Sequence, residues 1–214
     1  MVLNRSTLPN AITVARIAMT PAIVLLLFTP TFGARLGAFV LFLAAAFSDL
    51  WDGYLARKHG WISDFGKLWD PIADKLLLVA TFVPFHILSL RPDPETRIPV
   101  FGTFPLWILL VVLGREVLVT VIRSLAARRG LVIPAGPEGK LKALFQNIFV
   151  GTTIFWLALR TAGEDRGWAG EAWRNWQIFH GTVLIITLAI AVILTVYSMI
   201  VYLWAWRRIG RVAI

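Results

Sequence analysis

The chain has no cysteine, so disulfide bonds and thiolate metal sites are excluded from the outset. Charged residues are also scarce: they make up 15% of the 214 residues, against roughly 25% in an average soluble domain. Hydrophobic residues make up 58%, and the mean hydropathy is +0.74. A chain so poor in charge and so rich in apolar side chains is typical of an integral membrane protein.

Acidic residues are fewer than basic ones, 12 against 21, which gives a formal net charge of +9. The basic residues stand at the ends of apolar runs rather than on a polar domain. We therefore expect no nucleic-acid partner, and we expect membrane lipids and anionic substrates instead. The three histidines, His59, His86 and His180, share no ligand spacing, so we expect no metal site from them.

Apolar runs long enough to cross a bilayer, which needs about 20 helical residues, recur along the chain. They predict an all-α integral membrane protein with six transmembrane helices in one domain, residues 1–214. Residues 3–16 are more polar and predict a short N-terminal interfacial helix. The run at 17–28 has the length of a signal-peptide core, but Pro21 interrupts it and further spans follow, so we interpret it as an uncleaved span. The predicted spans are residues 11–28, 36–56, 71–90, 105–125, 142–161 and 178–206.

Lysine and arginine predict the orientation of these spans. Six basic residues on one side are interleaved with acidic ones, whereas the other side is strongly basic, and it is cytoplasmic by the positive-inside rule. We therefore expect a multi-pass protein of the inner (cytoplasmic) membrane, with both termini and the turn between the second and third spans in the cytoplasm. The residues on the basic side are Arg5, Arg16, Arg57, Lys58, Lys67, Lys75, Arg123, Arg128, Arg129, Lys140, Lys142, Arg207, Arg208 and Arg211.

The largest departure from the apolar composition is residues 49–74, which contain five aspartates. Asp49 and Asp52 are three apart and Asp70 and Asp74 are four apart, and these spacings put side chains on one face of a helix. Four carboxylates gathered at the membrane surface would repel one another and lose solvation. Lys67, Lys75 and Arg57 could neutralise part of this charge, and divalent cations would neutralise it better. Oxygen ligands favour Mg²⁺ or Mn²⁺, and two such ions form a clamp for phosphoryl chemistry. The alternative is that these are solvated charges at the ends of two spans.

Eight positions in this stretch match D-x2-D-G-x2-A-R-x8-G-x3-D-x3-D, the signature of the CDP-alcohol phosphatidyltransferases. The chain resembles that family, and the resemblance implies the CDP-alcohol phosphotransferase fold, six spans and a cytosolic active site. It also implies a reaction in which a hydroxyl attacks a CDP-activated lipid and CMP leaves. The matching residues are Asp49, Asp52, Gly53, Ala56, Arg57, Gly66, Asp70 and Asp74.

The resemblance also implies a role for each group of residues. Asp49, Asp52 and Asp70 are expected to ligate two Mg²⁺ or Mn²⁺ ions, and Asp74 is expected to act as general base and to contact metal. A homodimer is expected, because family members commonly form one. The residues expected to bind the CDP-lipid in this stretch are Gly53, Ala56, Arg57, Ser63 and Gly66.

Three further stretches resemble bacterial phosphatidylglycerophosphate synthases, a branch of this family. They are P-N-x-x-T-x-x-R at 9–16, G-R-E at 114–116 and G-K-x-K-x-x-x-Q at 139–146. The resemblance implies CDP-diacylglycerol as donor and glycerol 3-phosphate as acceptor. The first stretch is expected to line the nucleotide site, although a plain helix start explains it equally well. Its candidate residues are Asn10, Thr13 and Arg16.

Basic residues of the other two stretches, together with Arg123, are candidates for binding the phosphate of the acceptor. Arg115 and Glu116 lie deep in an apolar span, where an ionisable residue indicates function unless the two simply pair with each other. The two lysines are also explained by positive-inside anchoring. The predicted acceptor-phosphate residues are Arg115, Arg123, Lys140 and Lys142.

Other functions remain open on the sequence. The same chemistry with phosphatidylglycerol as acceptor would make a cardiolipin synthase, and inositol phosphate is another acceptor. A non-enzymatic cation carrier is a more distant alternative. A carrier predicts acidic residues spread through the middle of several spans, whereas the aspartates here are gathered at one end.

We expect activity to depend on a divalent cation. EDTA should abolish CMP release, and Asp70→Asn should weaken activity and metal dependence together, because an amide lacks the charge that holds the cation. The measurement is the rate of CMP release as a function of Mg²⁺ concentration. Activity that persists in EDTA would contradict the predicted metal site.

Overall fold

Six α-helices account for most of the part of the chain that the computed structural model describes. The described residues are 7–59, 64–93, 96–99, 101–129, 131 and 136–212. Only the backbone is described at 7–9, 49–50, 52–59, 64–68, 137 and 209–212. The helices are α1 (Thr7–Phe28), α2 (Phe32–His59), α3 (Asp64–Ser89), α4 (Leu106–Arg128), α5 (Pro137–Asp165) and α6 (Glu171–Val212).

The N-terminal segment differs from the prediction of a separate interfacial helix over residues 3–16. From Thr7 onward the chain continues through residue 16 into the first span as one helix, α1. Pro9 lies in the first turn, where a backbone N–H has no helical partner to lose. Polar side chains at 10, 13 and 16 were the reason for the prediction, and the structure buries two of them, Thr13 and Arg16, against other helices.

The helices define a multi-pass membrane protein. Within the described residues, four helical segments are long and apolar enough to cross a bilayer, and a fifth apolar segment, Phe32–Ser48, is shorter. Helix α4 has 23 residues, about 35 Å at 1.5 Å per residue, and it carries the charged pair Arg115 and Glu116 near its middle. The four long apolar segments are Asn10–Phe28, Trp69–Ser89, Glu138–Asp165 and Glu171–Arg208.

The helices contact one another in a closed ring rather than in a simple row. Helix α1 packs between α2 and α3, α2 continues the ring to α5, and α5 to α6. Helix α6 then contacts α4, and α4 contacts α3. Because of this order, α1, α3, α4 and α5 can all direct side chains into one interior space, although α4 and α5 are far from α1 in sequence.

A cluster of phenylalanines fastens α3 to α5 and to the segment that precedes α4. The ring of Phe149 lies 5.5 Å from Phe82, 6.1 Å from Phe85 and 6.0 Å from Phe104, measured between centroids. All four side chains are buried. Aromatic pairs at these separations contribute about 0.5–1.5 kcal/mol each beyond simple burial.

The two histidines whose side chains are described serve packing. His86 Nδ1 lies 2.7 Å from the carbonyl oxygen of Phe104, and His180 Nε2 lies 2.9 Å from that of Thr152. The His180 ring also packs against Trp156 at 5.5 Å between centroids. Both imidazoles are therefore engaged with backbone carbonyls.

The phenylalanine cluster leads to a stability prediction. Phe149→Ala should lower the melting temperature in detergent by several degrees, since truncating a buried Phe costs about 3–5 kcal/mol. Phe179→Ala is the matched control, because Phe179 is 68% exposed on α6 and should change the melting temperature little. Intrinsic tryptophan fluorescence on heating measures both, and equal losses would contradict the cluster's role.

Candidate active site

Helix α1 holds two aspartates of α3 through its side chains. The Thr13 hydroxyl donates to Asp70 Oδ1 at 2.7 Å, and Arg16 donates from a guanidinium nitrogen to Asp74 Oδ1 at 2.9 Å. Thr13 and Arg16 are three residues apart on α1, and Asp70 and Asp74 are four apart on α3, so each pair shares a helix face. The structure thus brings the N-terminal stretch and the second aspartate pair together.

The donors of this contact are buried, whereas the Asp74 carboxylate is accessible. Thr13 and Arg16 are each 1% exposed, whereas the side chain of Asp74 is 55% exposed. The guanidinium therefore supports the carboxylate from within the protein, and the carboxylate remains open to a ligand.

A cavity of about 160 Å³ lies beside Asp74, inside the ring of helices. A water molecule occupies about 30 Å³ of liquid volume, so the cavity has room for a small polar group as well as water. Apolar side chains such as Phe42 and Leu77 complete its wall. Its polar and charged lining residues are Arg16, Asp74, Lys75, Thr81, Glu116, Lys142, Gln146 and Asn147.

Glu116 organises the side of the cavity that α4 and α5 provide. Glu116 Oε1 accepts a hydrogen bond from Arg115 at 3.0 Å and another from the ammonium group of Lys142. Arg115 Nε in turn donates to Ser198 Oγ at 3.1 Å, and the guanidinium lies 5.7 Å from the centroid of the Tyr202 ring. These contacts tie α4, α5 and α6 together through charges that a membrane interior would otherwise disfavour.

The four predicted acceptor-phosphate residues occupy different places. Lys142 is 5% exposed and lines the cavity. Arg115 is buried behind Glu116 and faces α6. Arg123 and Lys140 are exposed, and the Arg123 guanidinium lies 5.9 Å from the Tyr202 ring centroid. Among the described residues, the structure therefore brings Lys142 to the cavity and leaves the other three outside its lining.

Glu116 was not among the predicted site residues. Its position deep in an apolar span indicated function for it as well as for Arg115, but only basic residues were assigned to the acceptor phosphate. Lys75, Gln146 and Asn147 were also missed as lining residues, because nothing in their spacing indicates that α3 and α5 face the same space.

The first half of the aspartate signature lies in the last turns of α2, and the second half lies in α3. Helix α2 ends at His59 and α3 begins at Asp64, which agrees with two helices joined by a short turn. Roles predicted for the first half, for the turn and for the first turn of α3 concern residues whose side chains are not described, and these roles stay predictions. The residues concerned are Asp49, Asp52, Gly53, Ala56, Arg57, Ser63 and Gly66.

The described donors fit a hard divalent cation. Asp70 and Asp74 share a face of α3 and offer only carboxylate oxygens, the ligand type that Mg²⁺ and Mn²⁺ prefer. Among the side chains that are described, no three His, Asp or Glu residues lie together as a ligand group. The side chains of Asp49 and Asp52 are outside that set.

Fold and site together define a class: a helical multi-pass membrane protein with an aspartate site that opens on a charged interior cavity. The model of the CDP-alcohol phosphatidyltransferase family matches residues 6–206. The chain therefore belongs to the CDP-alcohol phosphatidyltransferase family, whose members generally depend on divalent metal.

Curated relatives carry the names of one branch of this family. The chain is 36% identical over 155 residues to a "Probable phosphatidylglycerophosphate synthase" of Mycobacterium tuberculosis. The match covers 70% of this chain and 66% of that protein, so it spans just under two thirds of the relative's length. A "CDP-diacylglycerol--glycerol-3-phosphate 3-phosphatidyltransferase" of Rickettsia typhi is 37% identical over 139 residues, 65% of this chain and 71% of that protein. The Bacillus subtilis protein of the same name is 34% identical over 159 residues, 69% of this chain and 76% of that protein.

The Glu116–Lys142 pair leads to a prediction about stability. Glu116→Gln and Lys142→Met should each lower the melting temperature, because removing one partner of a buried ion pair costs about 3–5 kcal/mol. The double variant should recover part of the loss. The Arg160–Glu164 pair, at 3.8 Å and with side chains 20% and 44% exposed, is the more accessible control pair, and its cycle should show coupling of about 0.3–0.5 kcal/mol. Strictly additive losses for the first pair would show that the two side chains do not interact.

Proposed function

We propose that this chain, acting as a single domain, transfers the phosphatidyl group of CDP-diacylglycerol to glycerol 3-phosphate. The products are phosphatidylglycerophosphate and CMP. One observation carries the proposal: Asp74, the last aspartate of the signature, lines the same cavity as Lys142 and Glu116. A carboxylate suited to remove a proton therefore lies next to a cationic group suited to hold a phosphate.

The charge of the cavity supports an anionic acceptor. Its lining contains three cationic side chains, Arg16, Lys75 and Lys142, and two anionic ones, Asp74 and Glu116. Lysine binds phosphate as a point charge, and Lys142 is held at the cavity by Glu116. In this proposal Arg115 acts on the acceptor indirectly, by supporting Glu116 from behind.

Each bond that forms or breaks in the proposed reaction, and the proton that moves, can be assigned. Asp74 accepts the proton of the acceptor hydroxyl, and the hydroxyl oxygen forms a bond to the phosphorus that carries diacylglycerol. The bond from that phosphorus to the bridging oxygen of the diphosphate breaks, and CMP leaves with the electron pair. The protein positions the reactants and stabilises charge, which is the main demand of phosphoryl transfer.

Residues Asp49, Asp52, Asp70 and Asp74 would hold two Mg²⁺ or Mn²⁺ ions. When bound, these ions supply charge neutralisation for the diphosphate and for the leaving CMP. Gly53, Ala56, Arg57, Ser63 and Gly66 bind the CDP-lipid in this proposal, with Asn10 on the neighbouring α1.

The orientation and assembly of the protein belong to the same proposal. The aspartate end of the bundle faces the cytoplasm, where glycerol 3-phosphate and CMP are soluble, and the chain lies in the inner membrane. The excess of lysine and arginine at that end of the bundle supports this orientation. A homodimer is the proposed assembly, and light scattering of the detergent-purified protein measures it.

The test is CMP release by the detergent-purified protein with CDP-diacylglycerol and Mg²⁺. Glycerol 3-phosphate, phosphatidylglycerol, inositol phosphate and serine are offered in parallel. We expect CMP release with glycerol 3-phosphate as the only acceptor. We also expect Asp74→Asn to abolish CMP release while CDP-diacylglycerol still binds, because an amide does not accept the proton. Release with a different acceptor would refute the choice of glycerol 3-phosphate, and no release with any of them would refute the activity. Loss of binding in Asp74→Asn would contradict the role of Asp74 as base.

A further inference from the structure

We propose that Thr13 and Arg16 are positioning residues that fix the carboxylates of Asp70 and Asp74, so that α1 sets the geometry of the metal site and of the base. The two α1 residues act through the aspartates and not by contacting the nucleotide. The roles of Asp70 and Asp74 rest on the proposed function, whereas the contacts themselves are a property of the structure.

Both contacts have the geometry of good hydrogen bonds. The oxygen–oxygen distance of 2.7 Å for Thr13 and the nitrogen–oxygen distance of 2.9 Å for Arg16 are typical of short and charge-assisted bonds. The earlier residue of α1 pairs with the earlier aspartate of α3, and the later with the later. A pair of matched contacts fixes both the separation and the relative rotation of the two helices at this level.

Burial explains why these bonds persist. Thr13 and Arg16 are each 1% exposed, so neither polar group can exchange its protein partner for bulk water, and an unpaired buried donor is unfavourable. The donors are thus the fixed side of the contact.

The acceptors are the side that a ligand reaches. Asp74 is 55% exposed at the cavity, and a carboxylate on an exposed helix face would otherwise sample several rotamers. A reacting or metal-binding group must be held to within about 0.5 Å of its working position. One oxygen of each carboxylate is held by α1, which selects the rotamer.

The same observation favours an indirect role for Thr13. Its hydroxyl has a single proton to donate, and Asp70 Oδ1 lies at an oxygen–oxygen distance of 2.7 Å.

The test uses an isosteric substitution and a probe that needs no turnover. Thr13→Val removes the hydroxyl and keeps the shape, Thr13→Ser keeps the hydroxyl, and Thr20→Val is the matched control. Thr20 is buried on the same helix, and its hydroxyl bonds only to the helix backbone. Binding of Mn²⁺ to the full-length, detergent-purified chain is measured by electron paramagnetic resonance, and kcat and KM for CDP-diacylglycerol are measured separately.

We expect Thr13→Val to weaken Mn²⁺ binding about 10-fold or more, the usual effect of removing a partner that orients a metal ligand. We expect kcat to fall with little change in KM for CDP-diacylglycerol. Thr13→Ser should restore Mn²⁺ binding, and Thr20→Val should leave it unchanged. An equal loss in Thr13→Val and Thr20→Val would show a general packing role and overturn the proposal.

Arg16 provides a second, independent variant if Thr13→Val fails to fold. Arg16→Lys retains a cationic donor, and Arg16→Met retains most of the length without the donor. We expect kcat to fall more in Arg16→Met than in Arg16→Lys. Equal kcat values in these two variants would contradict positioning through the Asp74 contact.

The outcomes separate this proposal from the proposed function. Unchanged Mn²⁺ binding in Thr13→Val would refute positioning. A rise in KM for CDP-diacylglycerol without a change in kcat would also refute it, and would indicate a direct substrate contact. Absence of Mn²⁺ binding in the unsubstituted chain would refute it as well. Normal Mn²⁺ binding with the expected pattern of variants, but no CMP release with any acceptor, would refute the activity and leave the positioning role in place.

Discussion

The structure depends on one constraint: a charged side chain inside a membrane protein must have a charged or hydrogen-bonding partner. Arg115, Glu116 and Lys142 satisfy it together, since one carboxylate oxygen of Glu116 accepts from both cations. Arg16 satisfies it with Asp74. The Glu116–Lys142 pair joins α4 to α5 and the Arg16–Asp74 pair joins α1 to α3, so the pairing of charges links different helices.

The same constraint explains why the polar residues form a site instead of being dispersed. A buried ion pair offsets its loss of solvation only where its geometry is good and further hydrogen bonds satisfy it. The ring of helices provides one such interior space. Arg35 illustrates the structural use of this rule, because it is fully buried on α2 and donates to the hydroxyl of Thr161 on α5. Asp74 and Lys142 illustrate the functional use that we propose, because both line the cavity.

Prediction from sequence succeeded where the signal is local. Apolar runs predicted the helices, and the spacing of the aspartates predicted that the signature is divided between two consecutive helices, as α2 and α3 are. It was wrong about a separate interfacial helix at residues 3–16, because polarity at every third or fourth position looks the same on a surface helix and on a helix that faces a polar interior. The acceptor residues were grouped by charge and spacing alone, which cannot show that Arg115 faces α6 while Lys142 faces the cavity.

By itself, the sequence determined the family, the membrane class and the aspartate signature with its divided spacing, because these depend on residue identity, composition and periods of three or four residues. Only the tertiary structure decided the partners: Thr13 with Asp70, Arg16 with Asp74, and Glu116 with Lys142. These pairs join residues 26 to 58 positions apart. Whether they meet depends on the order of the helices around the ring, which local spacing does not encode.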